Sequence, residues 1–83
     1  MKKNKLPKWF DGVLYNIGDK VTNPFSEESI ELTAEELSMY DFLMGAQMLF
    51  DLGMQDESIL KNFHNGLNWF RKHNSKAYMV LLD

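Results

Sequence analysis

The 83-residue chain has no cysteine. That excludes disulfide staples, thiolate nucleophiles and every zinc site built on cysteine. It fits a reducing compartment, and a cytoplasmic location is the expectation. Histidine is scarce too, with only His64 and His73. Nine residues apart, they fall on opposite sides of one helix and cannot share a metal. No H-E-x-x-H or EF-hand spacing occurs, so no metal or other cofactor is expected. Glycine-rich phosphate loops and a G-x-S-x-G turn are absent. Ser26, Ser29, Ser58 and Ser75 stand where turns or helix starts want a hydroxyl; Ser38 alone does not. The adjacent pairs Glu27/Glu28 and Glu35/Glu36 suit solvation and capping rather than acid–base work. Nothing asks for an enzyme, and none is expected.

Long apolar runs are missing as well. The oiliest stretch, residues 38–54, is broken by Asp41, Gln47 and Asp51, whereas a membrane span needs about 20 mostly apolar residues. The first residues are rich in lysine, but no apolar segment of signal-peptide type follows them. With two prolines and five glycines, the chain shows no linker, repeat or low-complexity tract.

What remains is one small domain. A chain of this length buries only about 60% of its unfolded surface, so stability is marginal without help. The formal charge is −3, unevenly spread. Lys2, Lys3, Lys5 and Lys8 crowd a basic tail over residues 1–8, and order is expected to begin at Trp9. Residues 9–83 carry five basic and twelve acidic side chains. An acidic body disfavours nucleic-acid phosphates as partners.

The expected fold is α+β: a short N-terminal β-hairpin or three-stranded meander, two antiparallel helices and a short C-terminal helical turn. Asp11-Gly12, Gly18-Asp19 and Asn23-Pro24 signal turns. Val13-Leu14-Tyr15, Lys20-Val21-Thr22 and Ile30-Glu31-Leu32 are the candidate strands. An all-α fold with an ordered N-terminal loop is the alternative. Thr33-Ala34-Glu35-Glu36 reads as a capping box opening a first helix over residues 34–52, with Gly53 as its stop. Asp56 can cap a second helix, whose stripe is Ile59, Leu60, Phe63, Leu67 and Phe70. Lys72 and His73 suit its last turn, and Asn74 its end. Ser75 then caps a final helical turn, with a C-terminal strand as the competing reading.

The first helix is oily on two sides. Met39, Phe42, Leu43, Ala46, Leu49 and Phe50 form a core face. Leu37, Tyr40, Met44 and Met48 form a second zone, which one neighbouring helix cannot also cover. Either the chain's own ends fold over that zone or a second copy does. Gly45 and Ala46 are small enough for close approach, and two-fold dimers are the commonest oligomers. Leu37, Tyr40, Met44 and Met48, with Trp69 as a possible tryptophan anchor, are the candidate interface. The weaker alternative is nucleic-acid contact through Lys2, Lys3, Lys5, Lys8 and Trp9, where lysines interleave with an aromatic ring; there, Trp9 and Phe10 folding onto the domain is the simpler reading.

The stretches YNIGDKVTNPFSEESIELTAEELSMYDFLMGAQMLF and LNWFRKHNSKAYMVLLD resemble small proteins of unassigned function encoded by T4-like marine cyanophages. The likeness runs over residues 9–83 and is densest in ELSMYDFLMGAQ and KAYMVLLD. It carries no catalytic signature. It implies a viral accessory protein in the host cytoplasm that takes part in host takeover by binding host machinery. The expected function is therefore a homo-oligomeric protein-binding module, with a dimer favoured, acting on a host protein. A nucleic-acid-associated regulator or a minor virion or assembly component are the alternatives.

Overall fold

A computed structural model describes residues 6–10 and 12–82. It is a small α+β fold in the order β1 (Asp19–Thr22), β2 (Ser29–Leu32), α1 (Ala34–Asp51), α2 (Glu57–His73) and α3 (Ser75–Leu81). The strands pair antiparallel, with Asp19 opposite Leu32 and Thr22 opposite Ser29. A tight loop joins them: the Asn23 N–H donates to Glu28 O at 2.8 Å and the Glu27 N–H to Asn23 O at 2.7 Å. Asn23 Nδ2 also donates to Val80 O at 2.9 Å, tying the loop to α3. Gly18 sits where β2 ends; any side chain there would collide with the Leu32 carbonyl oxygen.

Each helix starts where a side chain can accept a free backbone N–H. Thr33 and Glu36 form the complete capping box on α1. Asp56 accepts from the N–H groups of Ser58 and Ile59. At Gly53 the chain turns with φ +94°, a left-handed conformation that costs glycine little. α3 is helical, so the competing C-terminal strand does not form. Its cap, however, is Asn74 and not Ser75: the Asn74 side chain accepts from the Ala77 N–H at 3.1 Å, and Ser75 is the first helical residue.

The Val13–Tyr15 strand is likewise not formed. Those residues run as irregular chain beside the start of α1, where a side chain and not a strand takes up a backbone donor. The Tyr15 N–H donates instead to Ser38 Oγ at 2.9 Å. Asp11, half of the expected Asp11-Gly12 turn, lies outside the described residues.

Leu32, Met39, Leu43, Phe70 and Ala77 form the buried core, drawn from β2 and all three helices. Gly66 lets α1 and α2 close on each other: a Cβ there would stand 3.0 Å from Leu43 Cδ2 and Met39 Sδ. Phe50 meets Phe63 edge-to-face at 5.3 Å where α1 ends. Packing begins before the expected boundary at Trp9, since Leu6 already lies against the core. The Pro7 carbonyl also accepts the Phe10 N–H.

Candidate interaction surface

Helix α1 has its apolar side chains on two sides, as its sequence suggests. Met39, Leu43 and Ala46 are buried, with Phe42, Leu49 and Phe50 half-buried beside them. The second zone divides along its length. At its N-terminal end the chain covers it: Leu37 and Tyr40 are half-buried against the core, and the Tyr40 ring lies 6.5 Å from that of Phe70. Burial raises the Tyr40 hydroxyl above the ordinary tyrosine pKa, because phenolate would be poorly solvated there.

Further along, none of the described residues covers it. Met44 is 37%, Met48 63% and Leu52 74% exposed. Their spacing of four residues lays them in a row one above another. Gly45 stands beside the row with nothing within 4 Å of where its Cβ would be. Asp41 flanks the row on one side. Gln47 and Asp51 flank it on the other, and Gln47 Nε2 donates to Asp51 Oδ1 at 3.2 Å. Past the helix end, Phe50, Met54 and Leu60 line a cleft of about 290 Å³ together with Gln55, Asp56 and Glu57. Leu52 and Met54 are additions to the sequence reading; Leu60, expected in the apolar stripe of the second helix, is instead 45% exposed beside the turn. Leu52 continues the Met44–Met48 spacing and was legible as such; Met54 and Leu60 come together only through the turn at Gly53.

Trp69 does not belong to this row. It is half-buried on α2, packed toward the core and stacked on His73 at 4.1 Å and 21°. The His73 Nδ1–H donates to the Trp69 carbonyl oxygen at 2.9 Å. Ala46, considered with Gly45 as a place of close approach, faces the core.

Of the candidate nucleic-acid residues, Lys2, Lys3 and Lys5 lie outside the described residues, and Lys8 is exposed. Trp9 takes the packing role: its ring is tilted against Phe42 at 5.7 Å and reaches the surface of Gly66. Phe10 meets the same Phe42 at 5.8 Å.

A larger cleft of about 640 Å³ lies between residues 14–18 and the start of α1. Its buried polar group, the Ser38 hydroxyl, is already engaged: it donates to Ala34 O at 2.8 Å and accepts from Tyr15. Among the described residues no buried side-chain polar atom lacks a partner, and no three His, Asp or Glu side chains are grouped to hold a metal ion. No described helix is long and apolar enough to cross a membrane. No family model matches the chain, and comparison with curated proteins and with solved structures finds no match.

Proposed function

We propose that the chain is a non-enzymatic protein-binding module whose working surface is the outer row of α1. The observation that carries this is the exposure of Met44, Met48 and the C-cap Leu52 on the side of α1 away from buried Met39, Leu43 and Ala46. Fully burying a side chain of this size is worth about 1.5–3 kcal/mol, so the exposed parts of Met48 and Leu52, with the lesser part of Met44, are a gain that a partner can realise. Methionine suits the task, being flexible and polarisable enough to fit varied surfaces.

Two occupants answer to this reading. One is a second copy of the chain, for which Gly45 leaves room for a close backbone approach. The other is a different protein. The resemblance to cyanophage proteins supports a host protein in that role, with the chain as a phage accessory factor.

The test compares the wild type with Met48→Asp, a substitution at a position open enough to leave the fold intact. Mass is measured by light scattering up to about tens of micromolar, and binding by titration with amphipathic helical peptides. The reading expects the wild type to dimerise, to hold a peptide, or both, and expects Met48→Asp to lose whichever is seen. A monomer that binds no peptide, or a variant that behaves like the wild type, contradicts it.

A further inference from the structure

The rim of this row says what kind of partner it fits. From residue 21 to residue 60 the chain carries nine acidic side chains and no lysine, arginine or histidine. The apolar row lies within that segment. Asp41 stands on one side of it and Asp51 on the other, and Asp56 and Glu57 are among the residues lining the cleft past the helix end. All four carboxylates are exposed; the nearest cation in sequence is Lys61, one turn after Glu57 on α2, so Asp41 and Asp51 are the charges that belong to the row itself.

Resting on the reading of α1 as the binding surface, we propose that its partner is an amphipathic helix whose apolar stripe is flanked by lysine or arginine, and not a second copy of this chain. Two copies laid α1 against α1 would bring Asp41 and Asp51 of each to the edge of one shared apolar contact. Like charges there repel, and losing water strengthens the repulsion. A basic flank turns Asp41 and Asp51 into attractive partners. Length agrees as well. Met44 to Leu52 spans about 12 Å at 1.5 Å per residue. A partner helix can meet that row with anchors one and two turns apart.

The probes are two synthetic helical peptides of equal length with one leucine stripe. One has lysine on its flanks and the other glutamate. Each is titrated into the intact chain at low and high salt. The lysine peptide is expected to bind at least about tenfold tighter, with the difference shrinking as salt screens the rim. Met48→Asp should abolish its binding. That substitution adds a carboxylate and would strengthen a merely electrostatic attraction, so the loss reports the apolar contact. Met79→Asp, at an exposed apolar residue of α3, should leave binding intact. Asp41→Lys with Asp51→Lys should transfer the preference to the glutamate peptide. Equal binding of both peptides, lost in Met48→Asp, overturns the basic partner while leaving the surface in place. A dimer that tightens with salt and is lost in Met48→Asp makes the second copy the occupant and overturns the proposal in the same way. Lysine-peptide binding that survives Met48→Asp overturns the α1 surface itself.

Discussion

Single residues decide which parts of α1 are closed and which are open. Tyr40 marks the boundary. It lies on the same side as Met44 and Met48, yet its ring is pressed toward Phe70 and its hydroxyl pKa is raised by burial. The sign of the linkage follows. Because the folded pKa lies above the unfolded one, the neutral phenol favours the folded state. That contribution is complete below the ordinary tyrosine value of about 10 and is lost as pH rises through the folded value. Tyr40→Phe should therefore remove the late-titrating part of the tyrosinate absorbance and make alkaline unfolding less steep. An unchanged titration would place Tyr40 in water with Met48. Ser38 shows the opposite kind of residue. Its hydroxyl looks unused in the sequence, where no cap or turn calls for it. In the fold it is buried and holds irregular chain 23 residues away through the Tyr15 N–H. No local pattern announces a contact of that range.

At the scale of elements, what was legible was what is locally encoded. The capping box at Thr33, the Asp56 cap and the glycine stop at 53 each need only neighbours in sequence, and each forms as read. Two readings failed because the deciding group lay elsewhere. Val13–Tyr15 has strand-like residues, but the Tyr15 N–H goes to Ser38 Oγ and not to a strand. Ser75 has a capping hydroxyl, but Asn74 before it does more. Asn74 donates its own N–H to Phe70 O, closing α2. Its side chain accepts from Ala77 to open α3 and donates from Nδ2 to Glu36 Oε1 at 3.2 Å, which ties both to the start of α1. Asn74→Ala removes a cap and a cross-helix hydrogen bond together. A loss of about 1–2 kcal/mol is expected, seen as a fall in Tm by thermal denaturation with the circular-dichroism spectrum unchanged. Ser75→Ala should cost much less. The reverse order would return the cap to Ser75.

Over the whole molecule, charge is segregated along with the helices. The segment through the hairpin loop, β2, α1 and the following turn is acidic. Residues 61–82 carry Lys61, Arg71, Lys72 and Lys76 and no carboxylate side chain. The core draws on both parts through Met39, Leu43, Phe70 and Ala77, so folding sets an acidic helix against a basic one. The two-sided oiliness of α1 could be read from its residues; which end stayed uncovered could not. That depended on where Phe70 came to rest against Tyr40, a placement set by tertiary packing. The outcome is an acid-rimmed row of Met44, Met48 and Leu52 facing outward, continuous in sequence with the turn that carries Met54. The most direct test follows the methionine methyl groups by NMR while the lysine-flanked leucine peptide is added to the intact chain. The account predicts that the Met44, Met48 and Met54 signals move and saturate together, while those of buried Met39 and of Met79 on α3 stay in place. Movement centred on Met79, or no methyl movement as the peptide is bound, would contradict it.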